Sequence, residues 1–180
     1  MKLRLSHCVL YVRDLDAMVD FYRDVLGFQV SDRGPKGPWA PEGIELVFMS
    51  QVGSEHHQIA FAPVRGDGPS TTLDHMAFRV DSLEDVRAMA RKLSEDGRSE
   101  GIAPVSHGNA WSVYFNDPEG NRLEVFCDSP FHVRQPQIQP LDLELAEDEL
   151  TEVTRTQFGQ EADFMPMGEF LDRRRETLGD

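Results

Sequence analysis

Two histidines and a carboxylate, His7, His75 and Glu124, are candidates to act jointly, because each falls on the less apolar face of a strand-like run. Side chains alternate between faces along a strand. In the run from Leu5 to Val12, His7 shares a face with Val9 and Tyr11, while Cys8, Leu10 and Val12 point to the apolar side. In the run from Leu73 to Val80, His75 and Ala77 oppose Met76, Phe78 and Val80. Glu124 lies in the stretch Trp111 to Phe126, where two alternating runs flank Asp117-Pro118-Glu119-Gly120-Asn121. That cluster is turn chemistry, so the stretch reads as a β-hairpin. Val113, Phe115, Leu123 and Val125 share its core face, and Ser112, Tyr114, Arg122 and Glu124 share the other, which lines either solvent or a polar cavity. Two neutral imidazoles and one carboxylate, with coordination positions left open, suit Fe(II) that accepts a chelating substrate and dioxygen. Each residue alone also has a structural reading, since a single strand histidine is ordinarily hydrogen-bonded scaffold and a lone glutamate is ordinarily solvated.

After the first strand, Asp14 is placed to cap a helix carrying Leu15, Met18, Tyr22, Val25 and Leu26, with Gly27 as its stop. Phe28 to Ser31 reads as a short strand, Arg33 to Gly43 as a long loop containing Trp39, and Ile44 to Met49 and His56 to Pro63 as two strands. Val64 to Thr72 reads as a linker. The order then repeats: a strand from Leu73 to Val80, a helix capped by Asp81 or Ser82 and ending near Gly97, a short strand from Ala103 to Ser106, and the hairpin. His7 aligns with His75 at an offset of 68, and at that offset Val12 falls on Val80, Leu15 on Leu83, Met18 on Val86 and Val25 on Leu93. This is an internal duplication of a strand, helix, strand, strand, strand unit.

Beyond the repeat, Asp128 to Pro140 is proline-rich and reads as extended. Leu141 to Asp180 is acidic, with helices around Leu145 to Phe158 and Met167 to Leu178; it is a surface appendage, a lid or a subunit contact. The domain organisation expected is therefore residues 1–128, with modules at about 3–63 and 73–128, followed by an extension at 129–180. A chain of 180 residues with 39% hydrophobic and 9% aromatic content can bury a core. Its net charge of −14 argues against nucleic acid, whose phosphates need a basic surface. No apolar run has membrane-spanning length and the first residues lack a signal-peptide pattern, so a cytoplasmic protein with no membrane partner is expected. The two cysteines, Cys8 and Cys127, read as buried free thiols. Trp39 and Trp111 read as core or loop anchors, and His132 as a residue of the extension.

Four stretches carry a family resemblance: His7-Cys-Val-Leu-Tyr-Val-Arg-Asp-Leu, Phe21-Tyr-Arg-Asp-Val-Leu-Gly-Phe, Asp74-His-Met-Ala-Phe and Asp117-Pro-Glu-Gly-Asn-Arg-Leu-Glu. From about Leu3 to Cys127 the chain resembles the vicinal oxygen chelate superfamily, which includes glyoxalase I, fosfomycin-resistance enzymes, bleomycin-binding proteins, methylmalonyl-CoA epimerase and extradiol dioxygenases. The resemblance implies an α+β fold of paired βαβββ modules forming an incomplete barrel around a divalent metal, with His7, His75 and Glu124 at the ligand positions. Glyoxalase I-like enzymes bring a fourth ligand, usually a carboxylate, from the last strand of the first module; no carboxylate follows Glu55 in His56-His57-Gln58-Ile59-Ala60-Phe61, which leaves Gln58 or a histidine as the alternative ligand there. That strand instead resembles the one in type I extradiol dioxygenases that carries the acid–base histidine, which maps onto His57. A tyrosine ten residues before the glutamate ligand matches Tyr114, and a further histidine before it matches His107 at a shorter spacing. Asp128-Ser-Pro-Phe-His-Val-Arg-Gln-Pro is similar to the small, single-domain catechol 2,3-dioxygenases.

The function implied is an Fe(II)-dependent (rather than Mn(II)-dependent) extradiol ring-cleaving dioxygenase of aromatic catabolism, with a catechol and dioxygen as partners and a homo-oligomeric assembly. The alternatives are a glyoxalase- or epimerase-like metalloenzyme, using the metal as a Lewis acid, and a non-enzymatic small-molecule or drug binding protein.

Overall fold

Alternating strand faces and capped amphipathic helices recur in the computed structural model, which describes residues 5–35, 44–67 and 73–178. In chain order the elements are β1 (Cys8–Tyr11), α1 (Leu15–Asp24), β2 (Gln29–Pro35), β3 (Glu45–Ser50), β4 (Ile59–Ala62), β5 (Met76–Arg79), α2 (Leu83–Asp96), β6 (Glu100–Ser106), β7 (Ala110–Asn116) and β8 (Arg122–Asp128). The extension adds β9 (Phe131–His132), β10 (Gln139–Pro140), α3 (Glu147–Phe158), β11 (Met165–Pro166) and α4 (Met167–Leu178). The fold is mixed α+β, built from two βαβββ sets.

The chain divides into two units, residues 1–72 with 117–121, and residues 73–116 with 122–180. In the first, the strand order is β1-β4-β3-β2, with β1 and β4 parallel and the other pairs antiparallel. Asp14 caps α1 by accepting the Ala17 N–H at 3.0 Å, and α1 buries Met18, Val19, Phe21 and Tyr22. Ile59 and Phe61 lie in the same core, where the Phe61 ring packs edge-on against Tyr22. The turn 117–121 belongs to this unit: Tyr22 donates its hydroxyl to Asp117, and Glu119 accepts the Asp14 N–H and the Arg65 guanidinium.

The second unit repeats this order as β5-β8-β7-β6 and adds β10 beyond β6. Ser82, one of the two expected caps, accepts the Asp85 N–H, and Gly97 closes α2 in the left-handed region at φ +74°. Leu83, Val86 and Leu93 are the buried stripe of α2, and Val113, Phe115, Leu123 and Val125 form the core face of the hairpin, as the alternation predicts. Cys127 is buried and Cys8 half-buried, and neither is in a disulfide. Burial pushes the Cys127 thiol up to about 11, with the Asp128 carboxylate adding to the rise. At neutral pH Cys127 is therefore expected to resist iodoacetamide in the folded chain and to react once urea exposes it, read by mass spectrometry.

Several boundaries differ from the sequence expectation. Strand β2 runs on through Arg33 and Gly34, because these pair with Val47 and Leu46, so the loop expected from Arg33 begins later. The remainder of that loop, with Trp39, lies outside the described residues. Strand β4 begins only at Ile59, so His56 and His57 precede the ladder. Gln58 closes the connection there: its N–H donates to the Met49 carbonyl at 3.0 Å and its side-chain oxygen accepts the Gln51 N–H at 2.9 Å. His7 and His75 each sit one residue before the first paired residue of β1 and β5, which preserves the duplicated placement.

The extension is not confined to the surface. Strand β10 pairs with β6, α3 buries Leu150 and Phe158, and the Trp111 indole donates to Thr154 Oγ1 at 2.9 Å. Val133 and Phe158 close on Gly108, which has φ +76°. A Cβ there would meet Val133 Cγ1 at 2.5 Å and Phe158 Cγ at 3.0 Å. Left-handed strain and overpacking together give Gly108→Ala an expected cost of about 2–4 kcal/mol, measurable by urea unfolding. Among the described residues no helix is long and apolar enough to cross a membrane.

Candidate functional site

Glu124 is the centre of the second unit's polar cluster. It is only 6% exposed although it lies on the face of β8 away from Leu123 and Val125, so its carboxylate is packed among neighbouring side chains rather than open to solvent. The antiparallel register places Tyr114 directly opposite Glu124. Ser112, on the same face of β7, donates its hydroxyl to Glu124 Oε1 at 2.6 Å. His75 Nε2 lies 3.3 Å from Glu124 Oε2, and His107 Nε2 lies 3.6 Å from Oε1. His107 Nε2 is also 3.2 Å from the Tyr114 hydroxyl, and the His75 and Tyr114 rings meet edge to face.

The tautomers follow from what each ring nitrogen faces. Asp74 Oδ1 is 2.6 Å from His75 Nδ1, and the Gln137 carbonyl is 2.6 Å from His107 Nδ1. Carboxylates and carbonyls only accept, so both Nδ1 atoms carry a proton and both Nε2 atoms are the lone-pair nitrogens of the neutral rings. His75 Nε2 and Glu124 Oε2 are then two acceptors facing each other across 3.3 Å. A second ring proton or a metal cation is what that gap accommodates, and an Nδ1–carboxylate pair behind an open Nε2 is the support a metal-binding histidine ordinarily has.

The electrostatics agree with the contacts. Burial costs Glu124 some of its charged form, but hydrogen bonds from His107 (through Nε2–H, once the ring takes a second proton), Ser112 and Tyr114 outweigh it and hold the carboxyl below its ordinary range. The same Glu124 carboxylate raises His107 above the ordinary imidazole value, against its burial. Tyr114 is pushed up to about 12, by burial first and then by Glu124, so it is a proton donor at neutral pH. The Arg122 guanidinium stacks 4.5 Å over the Tyr114 ring.

In the first unit, His7 and His57 rings lie 4.3 Å apart, Phe48 packs edge-on against His57, and His56 Nδ1 is 3.0 Å from His57 Nδ1. Desolvation lowers the His57 value, and the neighbouring His7 and His56 rings lower it further. His56 also lies 3.6 Å from Asp32. His132, by contrast, stacks on Phe170 in the second unit.

The two registers explain why only one module carries the carboxylate. Ala77 pairs with Glu124 and Tyr114 faces it, while the corresponding residues of the first unit are Val9, Ala60 and Phe48. Ala60 therefore stands where a fourth ligand would be, and Phe48 lacks the hydroxyl of Tyr114. Within neither unit do three described His, Cys, Asp or Glu side chains meet in metal-holding geometry. Of the candidates, His75, Glu124, Tyr114 and His107 come together in the second unit, and His7 and His57 in the first.

Ser112, Asp74 and Gln137 were not among the sequence-derived candidates. Alternation put Ser112 on the Glu124 face, and Asp74 is adjacent to His75, so both left a weak signal. Gln137 left none, because it acts through its main-chain carbonyl.

The family model described as the glyoxalase/bleomycin resistance protein/dioxygenase superfamily matches residues 4–125. Among curated relatives, the biphenyl-2,3-diol 1,2-dioxygenase 3 of Rhodococcus globerulus is 35% identical over 132 residues, which are 70% of this chain and 64% of that one. The metapyrocatechase of Pseudomonas sp. (strain CF600) is 30% identical over 133 residues, 72% of this chain and 40% of that one. The chain thus covers less than two thirds of the length of either. Among solved structures, a glyoxylase/bleomycin resistance protein/dioxygenase domain from Frankia sp. EAN1pec superposes with a TM-score of 0.59 at 23% identity, over 72% of this chain and all of that one. With the twice-repeated strand order, the paired histidines ahead of β1 and β5, and a family match over two thirds of its length, the chain belongs to the glyoxalase/bleomycin resistance protein/dioxygenase superfamily.

Proposed function

We propose that the protein is an extradiol dioxygenase, which inserts both atoms of dioxygen across the ring bond beside a hydroxyl-bearing carbon of a catechol. The observation that carries this reading is the Glu124 cluster, a buried carboxylate with an open imidazole nitrogen at 3.3 Å and a protonated phenol opposite. The similarity to proteins named metapyrocatechase and biphenyl-2,3-diol 1,2-dioxygenase 3 supports it.

The residues that would hold a divalent metal are His75 and Glu124, whose facing lone pairs suit a cation. His7, the third ligand of the set, enters on its duplicated position in the sequence. When bound, the metal would template both substrate oxygens and dioxygen and pass electron density between them. Fe(II) is the ion the donor set suggests. A further relative, from Geobacillus genomosp. 3, is named as manganese-dependent, so Mn(II) belongs in the test.

The chain's own residues then handle protons. His57, held neutral by its surroundings, is suited to take a catechol proton and return it to the product. Tyr114 keeps its proton, which faces His107 Nε2 and would turn to a substrate oxygen when a catechol supplies that acceptor. His107 presents Nε2 to the Tyr114 hydroxyl and so orients that donor. Ser112 holds Glu124 Oε1, leaving Oε2 directed at His75.

The test is oxygen uptake by anaerobically purified chain, loaded separately with Fe(II) and Mn(II), on a panel of catechols including 2,3-dihydroxybiphenyl. Stoichiometric uptake with a yellow product is expected. A metal-loaded chain that consumes no oxygen would instead point to Lewis-acid chemistry. A chain that holds no metal would point to a binding protein.

A further inference from the structure

We propose that the start of the C-terminal extension is a positioning element for the second unit's site: Gln135 clamps residues 133–137 against the turn bearing His107, so that the Gln137 carbonyl holds His107 in its Nδ1–H tautomer. Four contacts build the clamp. The Gln135 side-chain amide donates to the His107 carbonyl at 2.8 Å, to Asn109 Oδ1 at 3.1 Å and to the Val133 carbonyl at 3.3 Å. Its oxygen accepts the Gln137 N–H at 2.9 Å. One amide group thus ties the extension to the 107–109 turn and orients the Gln137 peptide. The anchor continues on both sides, since Val133 is buried against Gly108 and Gln139 pairs with Ser106 in the β10–β6 ladder.

The consequence falls on one proton. The Gln137 carbonyl, 2.6 Å from Nδ1, can only accept, so it selects the neutral ring with hydrogen on Nδ1 and the lone pair on Nε2. Nε2 is the nitrogen that faces the Tyr114 hydroxyl at 3.2 Å, with Glu124 Oε1 farther off at 3.6 Å as the acceptor that competes for the ring proton. With the tautomer reversed, an N–H would face the phenolic hydrogen's position and the Tyr114 donor would turn elsewhere. Nothing within the βαβββ repeat supplies this carbonyl, because the residue lies 30 positions beyond His107 in the extension. The effect on turnover rests on the dioxygenase reading above; the tautomer does not.

The experiment uses the full chain labelled with nitrogen-15, and long-range proton–nitrogen spectra of the imidazoles at a pH where His107 is neutral, assigned with His107→Asn. The wild type is expected to show the Nδ1–H tautomer of His107. Gln135→Glu replaces the donating amide by oxygens that face the His107 and Val133 carbonyls, and is expected to shift His107 to a mixture of tautomers. Gln135→Ala, which only deletes the clamp, is expected to shift it in the same direction and serves if the glutamate variant does not fold. Gln137→Ala keeps the carbonyl and is expected to leave the tautomer as it is. In metal-loaded enzyme, Gln135→Glu is expected to lower kcat about tenfold with KM changed by less than about twofold, the size of a lost supporting contact. A wild-type Nε2–H tautomer, or one unmoved in both Gln135 variants, would overturn the proposal. So would a shifted tautomer with unchanged kcat in an active enzyme. A wild type that consumes no oxygen would refute the dioxygenase reading, while the spectra would still decide the positioning.

Discussion

Glu124→Ala is expected to lose bound metal and with it oxygen uptake, by on the order of a thousandfold, since a bound metal supplies several kcal/mol of charge stabilisation. Metal per chain, measured after desalting, is the direct readout. The alanine also strands the buried Ser112 hydroxyl, which costs about 1–3 kcal/mol of stability. Glu124→Gln separates the two effects. Its amide oxygen still accepts from Ser112, so the fold is retained, but the negative charge that a cation needs is gone. Both variants are therefore expected to be metal-poor, and only the alanine variant markedly less stable. Full metal content in the glutamine variant would remove Glu124 from the ligand set.

His57→Ala is expected to retain metal and substrate binding and to slow turnover about a hundredfold or more, the scale of a lost general acid–base group. The His57 ring lies among His7, His56 and Phe48, where desolvation and the two neighbouring imidazoles favour its neutral form. A base whose value is lowered stays deprotonated further into acid. The acid limb of kcat/KM is thus expected below the ordinary imidazole value of about 6.5, and to vanish in the alanine variant. An unchanged rate would return His57 to the role of a packing residue against Phe48.

Much of this architecture was legible in the sequence because its signals are local. Period-two alternation assigned Val113, Phe115, Leu123 and Val125 to one face of the hairpin and Glu124 with Tyr114 to the other, and the register pairs them that way. Asp14, Ser82 and Gly97 marked helix ends through the chemistry of single residues. The offset between His7 and His75 disclosed a duplication that the two sheets repeat strand for strand. Where local signals compete they mislead: the apolar run after His57 suggested a strand through both histidines, but the Gln58 hydrogen bonds close the β3–β4 connection first.

The main elements, their faces, the duplication and the family were thus readable from residue order, because all of them depend on neighbours in the chain or on a repeated pattern. Tertiary structure alone decided that Glu124 is buried, that Asp74 and Gln137 set the tautomers of His75 and His107, and that the extension packs against Trp111 and Gly108. The reason is physical: a main-chain carbonyl has the same chemistry in every residue, so one that meets an imidazole 30 positions away leaves no trace in the order of side chains.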